Sequence, residues 1–355
     1  MDDLASSYRW FAEHSAAEYA PLYREVTRSI ADDPDLLDLV TRSPADAHHP
    51  GVLLAAVRYL LVDASNDPLA HRYRRRSING VGEAFRSFAL AHADELLLIT
   101  RIRRVQTNEI ARSAILAPVL RRVQAERGKP IALIDVGASA GLNLLLDMVH
   151  VDYGHTALGP ADSTIQLTCQ PLAEGPPPGP DLDIGWRVGL ERHPVDLSDD
   201  DDRRWLEACV WPDHPERSLR LTAAIELHQR NPVRLVAGDA VTDLPALIDQ
   251  APSDHHLVVM TAWAAYYLSP EQRRDFESVM ASSTRAISWI SAEHPSVVSD
   301  LHNTQAPKNE SPDIARIGVV HYPGRGSISD RQFVGWSHNH GAWIDWPIPG
   351  SPATT

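Results

Sequence analysis

Cysteine and lysine are both scarce in this sequence of 355 residues. Its cysteines are Cys169 and Cys209, and its lysines are Lys129 and Lys308. Two cysteines are too few for a disulfide framework or a cysteine-built zinc site. The first residues lack a basic region followed by an apolar stretch, and no apolar run is long enough to cross a bilayer. We therefore expect a cytoplasmic protein with no membrane partner.

Positive charge is also in short supply. Lys and Arg together number 33 and Asp and Glu 47, so the formal net charge is 33 − 47 = −14. A protein that coats nucleic acid needs a positive field to hold phosphates. This balance favours a small-molecule partner over a nucleic acid.

The first part of the chain, residues 1–126, has helical periodicity throughout. Apolar residues recur at helical spacing, as in Val52-Leu53-Ala56-Val57-Leu60, and prolines such as Pro34, Pro50 and Pro68 stand at helix starts or in loops. A further helix is predicted from Asn108 to Val123, and Pro118 inside it should bend or break it. The sequence thus predicts an N-terminal all-helical cap domain.

The remainder, residues 127–355, has the pattern of an α/β domain with an insertion at about 171–230. Ile131–Val136 is a short apolar run that is typical of a strand buried on both faces. Further strands are predicted at 164–169, 233–237, 256–260, 286–291, 314–321 and 332–337, and helices at 205–209, 218–228, 244–249 and 270–281. Strands that alternate with helices indicate a Rossmann-like, mostly parallel sheet, which the last two strands would close as an antiparallel hairpin.

A glycine-rich turn follows the first of these strands. Gly137, Ser139 and Gly141 alternate with alanines, and the leucines after Gly141 should start a helix. Small residues let the backbone approach a ligand closely and leave amides free for polar groups. Asp135 at the strand end can order the turn or accept from a ligand's ammonium group. A dinucleotide fingerprint needs a differently spaced third glycine, so NAD is not favoured.

These residues resemble the first motif of class I S-adenosylmethionine-dependent methyltransferases, and Gly238-Asp239-Ala240 matches a second motif. The resemblance implies S-adenosylmethionine as the cofactor. It implies cofactor-binding roles for Asp135, Gly137, Ala138, Ser139, Gly141, Asn143, Gln170, Asp239 and Ala240. In such enzymes the second strand usually ends in Asp or Glu, which binds both ribose hydroxyls. Here the predicted strand at 164–169 is followed by Gln170, whose neutral amide forms weaker hydrogen bonds to a ribose diol than a carboxylate does. Asp152 is the alternative ribose ligand.

The chain also resembles an uncharacterised, mainly actinobacterial family with this core behind a helical N-terminal region. The matching segments are Gln106-Thr107-Asn108-Glu109, Gly137–Asn143, Asp152-Tyr153-Gly154, Trp211-Pro212, Gly238-Asp239-Ala240, Tyr267-Leu268-Ser269 and His340–Trp343. This resemblance implies a fold and no specific activity.

Candidate reactive residues follow the later strands. Glu293, His294 and Tyr266 are the candidates for taking a proton from an acceptor. Trp263, Tyr267 and Tyr153 are substrate-binding candidates, and so are Asn108, Glu109 and Arg112, whose guanidinium suits a carboxylate or sulfate. The same residues would also suit structural roles: Glu293 and His294 as a salt bridge, the aromatics as packing, and Glu109 with Arg112 as a buried ion pair.

Two other sites were weighed on the residues alone. Gly137–Gly141 fits the G-x-S-x-G nucleophile elbow, with Ser139 as nucleophile and Asp243 or Asp254 and then His294 as partners, but a hydrolase needs strands before the elbow. His338 and His340 share a strand face near Asp345 without a third ligand, so no metal is expected.

The sequence therefore predicts methyl transfer from S-adenosylmethionine to a small-molecule acceptor, such as one in natural-product biosynthesis. The main alternative is an enzyme of the same fold that dispenses with the cofactor and catalyses another displacement, such as ring closure with loss of a sulfate-type group. There a partner subunit or a second copy of the chain could complete the site. A serine hydrolase is the lesser alternative, and a protein-binding module is the non-enzymatic one.

Overall fold

The computed structural model describes residues 2–17, 19–298, 314–325 and 330–346. The chain divides into two compact units. The helical unit contains the residues up to Thr107 together with Asp196–Leu221, and the α/β unit contains Asn108–Val195 and the residues from Thr222 on. The expected division fell after residue 126, whereas the segment from Asn108 belongs to the α/β unit, where its polar side chains have their hydrogen-bond partners.

The helices are α1 (Asp2–Trp10), α2 (Pro21–Ala31), α3 (Pro34–Thr41), α4 (Pro50–Leu61), α5 (Pro68–Arg75), α6 (Val81–Ala91), α7 (Ala93–Ile102), α8 (Ser113–Arg127), α9 (Asp200–Ala208), α10 (Pro215–Arg230), α11 (Leu244–Gln250) and α12 (Pro270–Ser282). The strands are β1 (Ile131–Val136), β2 (His150–Asp152), β3 (Ala157–Leu158), β4 (Gln166–Thr168), β5 (Gln170–Pro171), β6 (Ile184–Glu191), β7 (Arg234–Ala237), β8 (His256–Ala262), β9 (Ile287–Glu293), β10 (Ile314–Tyr322), β11 (Asp330–His338) and β12 (Trp343–Asp345). None of the helices in these described ranges is both long and apolar enough to cross a membrane.

The helical unit also takes in Asp196–Leu221, which the sequence pattern assigned to the insertion of the α/β domain. Pro34, Pro50 and Pro68 each occupy the first position of a helix, where the missing N–H costs nothing. Asp33 caps α3 by accepting from the N–H of Asp35 at 2.9 Å. The apolar faces of these helices pack into one core, which also takes in Trp205 of α9.

The α/β unit is built on a nine-stranded sheet in the order β5-β12-β11-β10-β9-β8-β1-β6-β7. The run from β9 to β7 is parallel, and β10 and β11 form the predicted antiparallel hairpin. All six residues of β1 are buried, which confirms a central strand covered on both faces. This is a mixed α/β, Rossmann-like fold, as predicted.

The prediction that residues 164–169 form the second strand of the large sheet is wrong, although a strand does occur within them. β4 lies in a separate small sheet of order β3-β2-β4, while the strand that pairs with β1 is β6. Gln170 consequently does not stand beside the glycine turn: it lies in β5, at the far end of the large sheet. The neighbour of β1 ends instead in Glu191.

Pro118 does not break its helix, contrary to expectation. α8 runs through it from Ser113 to Arg127. A proline leaves the carbonyl four residues earlier without its helical donor, and here the hydroxyl of Tyr153 donates to the Ala114 oxygen at 2.6 Å. Tyr153 is 1% exposed. The residue proposed to bind substrate therefore completes the hydrogen bonding of a helix.

Candidate active site

The candidate site lies at the carboxyl edge of the sheet, where β1, β6, β8 and β9 end. Ligands of open α/β sheets bind at this edge. The backbone there is strained at two non-glycine residues: Ser139 has φ +54 and Trp263 has φ +56. Left-handed conformations cost side-chain-bearing residues about 1–2 kcal/mol and concentrate at functional sites.

The glycine turn is closed by the chain's own atoms. The N–H of Gly137 donates to the Leu190 oxygen at 2.8 Å, that of Ser139 to Glu191 at 2.9 Å, and that of Leu142 to the Asn108 side chain at 2.9 Å. A Cβ placed on Gly137 would stand 2.3 Å from the Cβ of Ala264. The space next to Gly137 is therefore filled by Ala264.

The segment after the turn also differs from expectation. Instead of an α-helix, Leu142–Met148 forms 3-10 turns with a kink at Leu145. A Cβ on Gly141 would stand 2.7 Å from Val233, and Asn143 is 4% exposed. With the amides of Gly137, Ser139 and Leu142 engaged and no α-helix N-terminus after the turn, these residues do not fit an adenosyl ligand laid against the turn.

Asp135 is the carboxyl group at the centre of this edge. It is 3% exposed, and its Oδ2 has no hydrogen-bond partner among the described residues. Burial, and after it the charges of Glu191 and Glu293, raise the pKa of Asp135 to about 8 against the opposing charge of the Arg112 guanidinium. Asp135 is thus mostly protonated at neutral pH and able to release its proton just above it.

Glu191 is the functional candidate that sequence reasoning missed. It ends β6, next to the residue that pairs with Val136, and its carboxylate accepts from the N–H groups of Ser139 and His193 at 2.9 and 3.0 Å. The sequence signal that could have found it is the alternation of Trp186, Val188 and Leu190, which predicts a strand that ends at an acidic residue.

Glu293 holds the loop after β8. Its carboxylate accepts from the N–H groups of Ala264, Ala265 and Tyr266 at 3.0, 3.1 and 3.2 Å. Burial raises the pKa of Glu293, and these amide hydrogen bonds counteract the rise. With its oxygens engaged by backbone amides and 1% exposure, Glu293 positions the loop.

The loop and its neighbour form an aromatic cluster, Trp263, Tyr266, Tyr267 and His294. Ring centroids of Tyr266 and His294 lie 5.2 Å apart, and those of Trp263 and Tyr266 lie 5.7 Å apart. Tyr266 is 41% and Tyr267 80% exposed. Such rings offer faces to an apolar or cationic group.

Two arginines flank this aromatic cluster. Burial lowers the pKa of His294, and the charges of Arg273 and Arg316 lower it further. Arg273 donates to the carbonyl oxygens of Ala265 and Tyr266 at 3.0 and 2.8 Å. The edge is therefore polarised, with carboxylates beside β1 and β6 and guanidinium groups beside the loop.

The polar residues before α8 bind the chain's own backbone. Arg112 donates to the carbonyl oxygens of Asn339 and Ala262 at 3.1 and 3.0 Å. Asn108 accepts from the turn as described above, and Glu109 accepts from the N–H of Ala111 at 3.1 Å. All three predicted substrate ligands are buried and brace the carboxyl edge.

The second-motif residues lie farther out, after β7. Asp239 pairs with Arg192 at 2.6 Å and accepts from the N–H of Val241 at 2.8 Å, and that backbone hydrogen bond is the main cause that lowers the pKa of Asp239. Ala240 packs partly against the sheet core. Both follow the second strand away from β1.

The structure also places the residues of the serine nucleophile elbow and of the His338 and His340 pair, at which no metal is expected. Ser139 is 4% exposed, and Asp254 bonds His255 at the amino end of β8, across the sheet from His294. The rings of His338 and His340 are 5.7 Å apart, but no cluster of three or more His, Cys, Asp or Glu suited to a metal ion occurs within the described ranges.

Comparison with known proteins gives a family. No curated protein matches the chain. One similar solved structure is an S-adenosylmethionine-dependent methyltransferase from Clostridium acetobutylicum ATCC 824, at 7% identity and a TM-score of 0.23, covering 70% of this chain and 78% of that one. The family described as "Uncharacterized protein conserved in bacteria (DUF2332)" matches residues 5–346, and the chain belongs to it.

Proposed function

We propose that this protein is an enzyme that moves a proton to or from a small amine-bearing molecule at the carboxyl edge, with Asp135 as the group that carries the proton. The unpartnered Oδ2 of Asp135 carries this proposal, because a buried carboxyl oxygen without a partner is costly unless a ligand meets it. A carboxyl with a pKa near 8 exchanges its proton efficiently at neutral pH.

The charges and rings around Asp135 favour a substrate with a cationic end. Glu191 adds a second carboxylate, and the aromatic cluster supplies faces that attract an ammonium group. Arg273 and Arg316 supply a positive field on the other side. A molecule with an amine at one end and an anionic group at the other fits this polarity.

The reaction that suits this polarity is an intramolecular displacement. In its ionised form, which is the minor form at neutral pH, the Asp135 carboxylate takes a proton from the substrate's ammonium group. The freed nitrogen lone pair forms a bond to carbon while the bond from that carbon to a sulfate-type group breaks, and the electron pair leaves with the anion. The products are a cyclic ammonium, the free anion and protonated Asp135, which returns its proton to water. An enzyme accelerates such a step mainly by holding the nitrogen and the carbon in the geometry of attack.

Methyl transfer from S-adenosylmethionine is the second candidate, and Glu191 favours it. An acidic side chain at the end of the strand beside β1 is the group that holds the ribose hydroxyls in the resembling enzymes. The closure of the glycine turn opposes it, because the turn would have to open before an adenosyl ligand could enter.

Two measurements separate these functions. Calorimetric titration with S-adenosylmethionine and with its demethylated product should give no binding heat, and binding that Glu191→Gln abolishes would overturn the proposal in favour of methyl transfer. Incubating a bacterial metabolite extract with the protein and comparing masses should show a compound that loses an anion, where methyl transfer would add one CH2 unit.

The matched variants are Asp135→Asn and Asp249→Asn, the latter an exposed acid on α11. The mass change should vanish with Asp135→Asn and persist with Asp249→Asn. Equal turnover in both variants would refute the role of Asp135.

A further inference from the structure

A cavity opens at the amino edge of the sheet, opposite the candidate site. Its volume is about 390 Å³, and its lining is Arg127, Lys129, Ser253, His255, His256, Arg285 and Ala286. These residues precede or begin β1, β8 and β9. The volume is that of a small-molecule site.

The cavity is positively charged. Arg127, Lys129 and Arg285 carry permanent charges, and their field reaches the buried His256. Burial, and after it the positive charges around His256, the three cations among them, lower the pKa of His256 to about 4. The nearby acid, Asp254, is exposed and hydrogen-bonded to His255 at 2.8 Å.

The donors in this cavity differ in what they can offer. Arg285 gives its guanidinium N–H groups to the backbone oxygens of Ile248, Ala251 and Pro252 at 3.1, 2.5 and 2.6 Å, so it contributes a fixed charge. Arg127 and Lys129 are exposed side chains with no hydrogen bond or ion pair among the described residues. They can close on a ligand by charge-assisted hydrogen bonds.

The wall of the cavity is fixed in place by buried polar groups. The Nε2 of His256 lies 2.8 Å from the Ser288 hydroxyl, which lies 2.8 Å from the Nδ1 of His321. This chain links the first residue of β8 to β9 and β10. A wall fixed by hydrogen bonds, with exposed cations above it, is suited to capturing an anion.

We infer that this cavity is a binding site for a phosphorylated small molecule, separate from the carboxyl edge. Phosphate is favoured because a guanidinium and an ammonium group together match its oxygens, and because the cavity has room for more than a single ion. This inference does not depend on the function proposed for Asp135.

The test uses the full chain with inorganic phosphate and pyrophosphate as probes. Calorimetry at low ionic strength should show pyrophosphate binding more tightly than phosphate. The double variant Arg127→Gln/Lys129→Gln should weaken pyrophosphate binding by about tenfold or more, as expected for losing one or two charge-assisted hydrogen bonds.

The control removes the same charge from the helical unit, as Arg75→Gln/Arg101→Gln, two exposed residues. It should leave pyrophosphate affinity unchanged, and so should Asp135→Asn. Absence of pyrophosphate binding to the native chain, or equal weakening in both double variants, would overturn the inference.

Discussion

Replacing Asp135 with asparagine should stabilise the protein, and the gain should grow with pH. The pKa of Asp135 rises from an ordinary 3.8 to about 8 in the folded chain. Between these values the folded state holds a proton that the unfolded state has lost. The free energy of unfolding therefore falls as the pH rises through this window, by about 1.4 kcal/mol per pH unit. Asparagine resembles the protonated carboxyl and does not titrate.

From pH 5 to pH 8 the difference between the variant and the native chain should accumulate to about 4 kcal/mol and then level off. Urea unfolding at several pH values measures it, and Asp249→Asn serves as the exposed control that should show no such slope. A pH-independent difference between Asp135→Asn and the native chain would mean that Asp135 is ionised when folded. The proposed proton transfer would then lose its basis.

Three further substitutions test buried contacts, two in the α/β unit and one, at Tyr8, in the helical unit. Tyr153→Phe should lower the free energy of unfolding by about 1–3 kcal/mol, because it leaves the Ala114 oxygen without a donor. Pro118→Ala in the same chain restores a backbone donor for that oxygen and should recover most of the loss. A urea-unfolding double-mutant cycle measures this, and equal losses with and without Pro118→Ala would contradict it. Tyr8→Phe should stabilise by about 1 kcal/mol, since that hydroxyl is buried with no partner in the described part of the chain, and a lower melting temperature would count against it. Gly137→Ala should destabilise by about 2–4 kcal/mol because the glycine has φ +79 and a Cβ there would clash; an unchanged urea midpoint would show that the turn can open.

Local patterns predicted most of the fold. The apolar run of β1 and the prolines at helix starts specify structure through a few neighbouring residues, and both predictions are confirmed. β6 was missed because Gly185 and Gly189 resemble a loop. Gly189 is small for a reason that only the fold reveals: a Cβ there would stand 2.5 Å from Leu235 and 2.7 Å from Ala138.

The candidate site was predictable to the extent that it depends on strand ends. Asp135 lies near the end of a predicted strand, Trp263 and His294 follow two others, and parallel strands bring their carboxyl ends to one edge. The roles of Arg112 and Tyr153 were not predictable, because their acceptors are backbone carbonyls distant in sequence. A polar side chain has the same sequence signature whether it meets a substrate or an orphaned carbonyl.

The pairing of β1 has a consequence for biosynthesis. Ile131 lies between Ile184 on one side and His256 on the other, so the central strand leaves the ribosome long before either neighbour exists. At about 5–20 residues per second the β8 partner follows some ten seconds later. Both edges of this apolar strand stay unpaired until β6 emerges, and one edge stays unpaired until β8 emerges, so other nascent chains can pair with it. We expect overexpression to yield inclusion bodies unless chaperones are abundant or translation is slowed.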